Sequence, residues 1–259
     1  MKHKLPKYEG ERFSNEIIEK VNDFITIEEE LQININNKAF TILMRSPDYD
    51  NELIRGLFYN EDIYSYKENF KLEVIKTNSL DYNTEVNINI SANKLGNGYN
   101  SSRSLLSVSS CGICGKQKLD KNYNIADKLI NIDLDNKIIP SLIAKMYAQQ
   151  KNFHLSGGSH SAAIFDTNGE LLVIREDIGR HNAVDKSIGM LLNNSILEKA
   201  KYITVSGRIS YEIVTKVFRS KIPILIAVSA PSSLAIDFAK EFGIIIFAFC
   251  RNGVATRYS

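Results

Sequence analysis

The sequence lacks tryptophan altogether and holds only three cysteines and five prolines in 259 residues. An odd number of cysteines in a chain of this length argues against a framework of disulfides. No uninterrupted apolar run approaches the roughly 20 residues that a membrane-spanning helix requires, and the positively charged N-terminus is not followed by the apolar segment of a secretory signal. We therefore expect a cytoplasmic protein with no membrane partner.

An excess of charge of either sign is also missing. The chain has 32 Lys and Arg against 30 Asp and Glu, which gives a formal net charge of +2. This balance is too even to favour bulk binding to nucleic acid, and we expect no nucleic-acid partner. An acidic ligand would have to be held by a local site. With 44% apolar residues the chain can build a sizeable core.

Two of the three cysteines lie together, in the segment Ser-Ser-Cys-Gly-Ile-Cys-Gly-Lys that contains Cys111 and Cys114. A glycine after each sulfur leaves both thiols approachable. Three interpretations follow from this spacing: a persulfide carrier, half of a structural zinc site, or a dithiol redox switch. The zinc site needs two more ligands, and Cys250 and the four histidines show no second paired spacing. The interpretation as a redox switch is less favoured, because the pair is predicted to lie in a loop and not at a junction between a strand and a helix.

The first half of the chain is rich in predicted strands. Residues 24–44 alternate in polarity around Asn36 and Asn37, which predicts two strands joined by a tight turn. The other elements predicted there are a helix from Asp48 to Phe58 and strands at 71–76 and 86–90. We predict a β-rich N-terminal part over residues 1–110, with a mobile loop at about 91–125 that carries the cysteines.

The second half alternates regularly between strands and helices. The predicted order is helix 141–151, strands 162–165 and 171–175, helix 182–192, strand 202–205, helix 211–218, strand 224–228, helix 232–242 and strand 244–249. Such crossover units build a sheet of parallel strands, which places an α/β domain at residues 126–259. Ligands of such sheets bind where strand ends meet helix N-termini.

Polar residues fall at those strand ends. The candidates for ligand binding are Gly158, His160, Arg180, His181, Gly207, Arg208 and Ser229. Backbone N–H groups at such places receive anions, and an arginine such as Arg208 offers two parallel donors to a phosphate. Ser232 can cap its helix at the same time.

Two of these candidates have a structural alternative. His160 is either a ligand contact or a structural residue. Glu176 and Asp177 either pair with Arg180 and Lys186 to order the turn, or Arg180 and His181 face the ligand, with Asp185 orienting one of them.

Four blocks of the sequence together resemble one family, the formate dehydrogenase accessory sulfurtransferases, or FdhD proteins. The blocks are residues 109–116, 156–163, 175–186 and 206–210, in the same order as in the family. The resemblance implies a sulfurtransferase that takes sulfur from a cysteine desulfurase as a cysteine persulfide. It passes the sulfur to the molybdenum bis-guanine-dinucleotide cofactor, its bound substrate, before that cofactor enters formate dehydrogenase.

The resemblance also assigns roles and architecture. Cys111 is the implied persulfide carrier, with Cys114 as its helper or as an alternative acceptor. The C-terminal segment implied to form part of the cofactor site is Phe247, Ala248, Phe249, Cys250, Arg251 and Asn252. From their residue types, Arg251 suits a phosphate and Phe249 a flat ring, whereas Phe247 and Cys250 suit the core. The implied fold is a β-rich N-terminal part followed by a cytidine-deaminase-like three-layer α/β domain, in a homodimer.

The deaminase likeness does not bring deaminase chemistry with it. A zinc deaminase needs a glutamate two positions after its His and a Pro-Cys-x-x-Cys segment. Ala162 follows His160 at that spacing, and Pro231 is followed by serines. We therefore expect no structural metal. The alternatives to sulfur transfer are a chaperone that binds the molybdenum cofactor without moving sulfur, and a zinc-dependent hydrolase.

Overall fold

The computed structural model describes residues 5–14, 17–100, 128–129 and 136–259. The predicted carrier pair, Cys111 and Cys114, lies outside the described residues, as does most of the loop predicted at 91–125. Within the described part of the chain, no helix is long and apolar enough to cross a membrane.

Strands β1 (Lys7–Ser14) and β2 (Ile17–Phe24) form an antiparallel hairpin that pairs with no other strand of the described residues. All of β1 is exposed. Oppositely charged side chains pair across the hairpin, with Arg12 3.2 Å from Glu19 and Lys20 3.3 Å from Glu9. Because neither face is buried, the strands lack the alternation of apolar and polar residues that predicts a strand, and the sequence did not reveal them.

A four-stranded sheet follows, with strands β3 (Glu29–Ile35), β4 (Lys38–Arg45), β5 (Leu72–Thr77) and β6 (Asn83–Ile88) in the order β4-β3-β6-β5. The predicted tight turn between β3 and β4 is confirmed, since Asn36 and Asn37 have φ of 52° and 61°. Helix α1 (Asp50–Asn60) packs on this sheet through buried residues that include Ile54 and Phe58. A 3-10 turn (Ala92–Lys94) and the short helix α2 (Asn97–Asn100) stand where a loop was predicted.

The α/β part contains six strands and five helices among the described residues. Their order is α3 (Ile138–Ala148), α4 (Lys151–Ser156), β7 (His160–Phe165), β8 (Leu171–Asp177), α5 (Arg180–Asn193), β9 (Tyr202–Val205), α6 (Tyr211–Arg219), β10 (Ile224–Ala227), α7 (Ser233–Phe242), β11 (Ile245–Arg251) and β12 (Val254–Arg257). The alternation of strands and helices predicted from periodicity is confirmed. The single predicted helix 141–151 is replaced by α3 and α4.

The six strands form one sheet in the order β12-β11-β10-β9-β7-β8. The expectation of parallel strands is only partly correct, because the sheet is mixed: β9, β10 and β11 are parallel, β7 is antiparallel to β8 and β9, and β12 is antiparallel to β11. The hairpins β7–β8 and β11–β12 introduce the antiparallel pairs, since short turns connect antiparallel neighbours.

Helices cover both faces of this sheet. One apolar core joins it to α5, α6 and α7, and a second joins its other face to α3. Helix α1 crosses α5 on the outside, where Gly56 faces the backbone of Asp185 and Gly189 faces the backbone of Glu52. A glycine in each helix lets the two backbones approach closely. The N-terminal helix is thereby held directly against the helix that begins at Arg180.

Candidate functional site

The ends of five strands meet at one edge of the six-stranded sheet. β8, β9, β10 and β11 run in the same direction and finish there, and β7, which runs in the opposite direction, starts there at His160. This topology gathers candidates from distant parts of the sequence. His160 pairs with Asp177 at the end of β8, and by extension of the register Gly207 lies beside His160 after the end of β9.

A basic cluster is built at this edge around Gly207. A β-carbon at Gly207 would lie 3.1 Å from Cβ of Arg180 and 3.4 Å from Nδ1 of His160, so the glycine lets both side chains come close. Nε of Arg180 is buried and has no hydrogen-bond partner among the described residues. A buried guanidinium N–H without a partner is costly. It therefore marks a position where an acceptor from a ligand fits.

His160 is electrostatically tuned by this cluster. Burial lowers the pKa of His160 from its ordinary value; Arg180 lowers it further, Asp177 opposes the change, and His181 and Arg208 contribute in the same direction as Arg180. His160 is therefore neutral at pH 7. Oγ of Ser206 accepts a hydrogen bond from the backbone N–H of Ser161 at 2.9 Å and lies 3.4 Å from Nδ1 of His160. This arrangement favours the tautomer that carries its proton on Nε2.

His181 points to a different partner. Its Nε2 lies 3.1 Å from a carboxylate oxygen of Glu212 and 3.4 Å from Oγ of Ser210. The expected orienting contact from Asp185 is not formed, because Asp185 accepts hydrogen bonds from Nζ of Lys216 at 2.8 Å and from Nδ2 of Asn60 at 2.7 Å. His181 thus ties the start of α5 to the start of α6.

The two acidic residues before the turn, Glu176 and Asp177, have different partners. Asp177 forms the predicted ion pair with Lys186, at 2.7 Å with both side chains fully buried. Glu176 does not pair with Arg180. It accepts hydrogen bonds from the backbone N–H groups of Asn152 and Phe153 at 2.8 and 2.9 Å, and so fixes the first turn of α4. The guanidinium of Arg180 is therefore not paired with Glu176 and is available to an anionic ligand.

A cavity of about 710 Å³ opens between α3 and this edge of the sheet. Its wall on the α3 side is apolar, with Ile139, Ile143 and Tyr147, and Gln150, His160 and Ser206 supply polar groups. The predicted site residues that line it are Gly158, His160, Cys250, Arg251 and Asn252. Such a cavity, mostly apolar with a few polar groups, is typical of a ligand site.

The remaining predicted residues do not line the cavity. They are Arg180, His181, Gly207, Arg208, Ser229, Phe247, Ala248 and Phe249. Arg208 and Phe249 are exposed, and the carbonyl of Ser229 accepts a hydrogen bond from the backbone N–H of Phe249 at 3.1 Å. Ser232 caps α7 as predicted, accepting from the N–H of Ala235 at 3.2 Å.

Strand β11 carries most of the C-terminal segment that was predicted to bind the cofactor. Phe247 and Ala248 are buried in the two cores on opposite faces of the sheet, as expected for Phe247. Phe249 has φ of 55°, an unusual backbone angle for an aromatic residue. Cys250 is buried as predicted, and burial raises the pKa of its thiol to about 11. It is therefore a thiol, not a thiolate, at neutral pH.

Sequence reasoning missed several residues of the cavity. Gln150 donates a 2.5 Å hydrogen bond to Oγ of Ser161 and joins the end of α3 to the sheet. Ser206 lies in the block 206–210, of which only Gly207 and Arg208 were predicted to bind the ligand. A glutamine directly after an apolar helix, and a serine directly after a buried strand, were the available signals. Within the described ranges no three histidine, cysteine or acidic side chains are close enough to hold a metal ion.

Comparisons with known proteins place this geometry in context. Residues 26–259 match the model of the FdhD/NarQ family. Over 241 residues the chain is 39% identical to the sulfur carrier protein FdhD of Sulfolobus acidocaldarius, covering 92% of this chain and 89% of that protein. It is 35% identical over 252 residues to the protein of the same name from Streptomyces coelicolor, covering 92% and 87%.

A solved structure shares the fold. The chain superimposes on a putative formate dehydrogenase accessory protein from Desulfotalea psychrophila with a TM-score of 0.75, covering 98% of this chain and 96% of that one. The sequence identity is 20%, so the similarity concerns the fold.

Proposed function

Since this chain belongs to the FdhD/NarQ family, we propose that it is a sulfurtransferase that carries sulfur from a cysteine desulfurase to the molybdenum bis-guanine-dinucleotide cofactor of formate dehydrogenase. Relatives 35–39% identical to it are named sulfur carrier proteins. Cys111 is the carrier in this proposal and Cys114 its helper. The spacing Cys-Gly-Ile-Cys, with a glycine after each cysteine, supports this assignment.

Loading is a thiol exchange in which no electrons are gained or lost overall. The thiolate of Cys111 attacks the outer sulfur of a persulfide on the desulfurase. The bond between the two sulfurs of the donor breaks, a new sulfur–sulfur bond forms on Cys111, and the donor cysteine leaves as a thiolate. Cys250 is unsuited to this step because it is buried with a thiol pKa of about 11.

The cavity and the basic cluster support binding of the cofactor. Arg180, with its unpartnered Nε, and the exposed Arg208 suit a phosphate, and the uncapped first turn of α5 adds N–H donors. The apolar wall on α3 suits a flat ring. About 710 Å³ is the size of a site for one small ligand. We therefore assign it one arm of the cofactor, and a homodimer would supply a second cavity for the other.

The proposal assigns the six-stranded part to a cytidine-deaminase-like scaffold that performs no deamination. It also places the activity in the cytoplasm, where desulfurase and cofactor are available. The observation that carries the whole proposal is the Cys-Gly-Ile-Cys spacing in a member of this family, together with a cavity whose wall includes His160 of the basic cluster.

Loading of sulfur is tested by mass spectrometry. After incubation with a cysteine desulfurase and cysteine, we expect the peptide that holds Cys111 to gain the mass of one sulfur atom. The peptide that holds Cys250 is an internal control and should stay unchanged, because its thiol is buried. GMP serves as the probe for the guanine nucleotide arm of the cofactor. If GMP binds but no peptide gains sulfur, the alternative function, a chaperone that binds the cofactor without moving sulfur, describes the protein better. Stoichiometric zinc bound by the cysteine pair would contradict both.

The phosphate contact is tested by Arg180→Gln. Since a hydrogen bond to a charged group is worth about 1.5–3 kcal/mol, we expect GMP to bind about ten- to a hundredfold more weakly in isothermal titration calorimetry. Arg257→Gln is the matched control, because Arg257 is exposed at the opposite end of β12 and its loss changes the net charge equally. Equal affinities of the two variants would remove Arg180 from the site.

A further inference from the structure

The carboxylate of Asp177, at the end of β8, is completely buried and accepts four hydrogen bonds. Oδ2 accepts from Nζ of Lys186 at 2.7 Å and from the backbone N–H of Ser46 at 3.1 Å. Oδ1 accepts from the N–H of Gly179 at 2.8 Å and from Nδ2 of Asn182 at 2.9 Å. Every donor lies either in the turn that leads into α5, in α5 itself, or in the segment after β4.

The end of β4 and the segment after it are bound to this turn and to α5 by further hydrogen bonds. Nζ of Lys186 donates to the carbonyl of Ser46 at 2.8 Å. Oγ of Ser46 accepts from the N–H of Ile178 at 3.0 Å and donates to the carbonyl of Ile27 at 2.9 Å. Nδ2 of Asn182 donates to the carbonyl of Met44 at 2.9 Å. A loop of the N-terminal part therefore fixes the backbone immediately before Arg180.

The turn so fixed determines where Arg180 lies. Gly179 precedes α5 without a side-chain cap, so the carboxylate of Asp177 and the hydroxyl of Ser46 are what hold the N–H groups of Gly179 and Ile178. Arg180 is the next residue, and its side chain fits against Gly207. A small rotation of the turn would carry the side chain of Arg180 away from Gly207 and His160.

We propose that Ser46 and the buried Asp177–Lys186 pair are positioning residues that hold Arg180 in place for the phosphate of the ligand. This inference rests on the proposed function in assigning the ligand, but the positioning itself concerns only the protein. Buried ion pairs are weak sources of net stability, and their best supported role is to specify one conformation. Here the conformation specified is that of the turn that presents the arginine.

The same helix offers a contrast. Asp185 and Lys216 form a second buried pair, 2.8 Å apart, that joins α5 to α6. This pair touches no residue of the turn between Asp177 and Arg180 among the contacts of the described residues. We call the unit formed by Ser46, Asp177 and Lys186 the clamp. What distinguishes it from the pair of Asp185 and Lys216 is not burial but contact with the backbone around Gly179.

Ser46→Ala tests the clamp without changing any charge. Ser187→Ala is the matched control, because it also removes a buried hydroxyl that donates to a carbonyl, that of Ala162 at 2.8 Å, but lies away from the turn. Without the hydroxyl of Ser46, the N–H of Ile178 loses its acceptor and the turn relaxes. We expect GMP to bind roughly tenfold more weakly to Ser46→Ala than to Ser187→Ala, and Ser46→Thr to restore binding.

The position of Arg180 is also read without any ligand, by NMR titration of His160 in the full chain. Because Arg180 lowers the pKa of His160, moving the guanidinium away should raise that pKa in Ser46→Ala and leave it unchanged in Ser187→Ala. If the pKa of His160 is the same in both variants, the clamp is contradicted. A raised pKa in Ser46→Ala, with no GMP binding by the unmodified protein, upholds the clamp and overturns the nucleotide site instead.

Discussion

Alanine in place of Gly189 should destabilise the protein by about 4 kcal/mol or more, the range seen only for severe core defects. In an exposed helix the same change stabilises by roughly 1 kcal/mol, because glycine is a poor helix former. At Gly189 a β-carbon would overlap the carbonyl of Glu52 in α1 and lie 2.8 Å from the backbone nitrogen of Gly56. Backbone atoms cannot rotate away as a side chain can. The two helices must therefore separate.

Urea unfolding followed by circular dichroism measures this loss. Gly10→Ala is the control, because the nearest atom to a β-carbon there is Cγ2 of Val21 at 3.9 Å, an ordinary contact; we expect a change within about 0.5 kcal/mol. Gly56→Ala should act like Gly189→Ala, and the double variant should cost less than the sum, since both disrupt one crossing. A Gly189→Ala protein as stable as the original would show that α1 does not cross α5 there.

The crossing of α1 and α5 also shows what periodicity does not reveal. Each helix was predicted from its own apolar spacing, and α5 extends only slightly beyond the predicted 182–192. Gly56 and Gly189 lie more than a hundred residues apart in the sequence, and neither marks a break in its helix. Only the three-dimensional arrangement shows that they meet. Contacts between distant segments carry no local signal of this kind.

Strands were predictable where one or both faces are buried. The β3–β4 hairpin was predicted from alternation of polarity and from Asn36-Asn37, and β9 and β10 from the regular succession of strands and helices. The β1–β2 hairpin was missed because charged pairs, not an apolar face, hold it together. Strand β12 was missed as well, since no strand was predicted after residue 249 and the segment up to Asn252 was assigned to the ligand site.

The site was predictable to the extent that topology dictates it. Arg180 and Gly207 follow the strands β8 and β9, and the antiparallel strand β7 begins at His160 on the same edge, so the topology brings the three predicted residues together. The contribution of α3 was not predictable, because nothing in its apolar sequence indicates which part of the sheet it covers. The partner of His181 could not be predicted from the sequence either, since Glu212 belongs to another helix.

Replacing Cys111 with alanine should abolish the delivery of sulfur. Formate dehydrogenase activity in a strain that depends on this chain should fall to the level of a strain without it. No other thiol offers a substitute of equal reactivity: Cys250 is buried with a pKa of about 11, and Cys114 is expected to assist. GMP binding should be unchanged in Cys111→Ala, because the contacts assigned to the nucleotide come from Arg180, Arg208 and the apolar wall on α3.

Two further variants complete this test. Cys250→Ala removes a thiol of the cavity wall and should retain both sulfur loading and activity, since that thiol takes no part in the exchange. Cys114→Ala should still load sulfur on Cys111, which separates a helper from a carrier. If Cys111→Ala loads sulfur and supports formate dehydrogenase as well as the unmodified chain does, the carrier must be another residue. If it fails in loading but also loses GMP binding, the substitution has damaged the fold, and Cys111→Ser, which keeps the size and polarity of the side chain, then decides whether the sulfur atom itself is required.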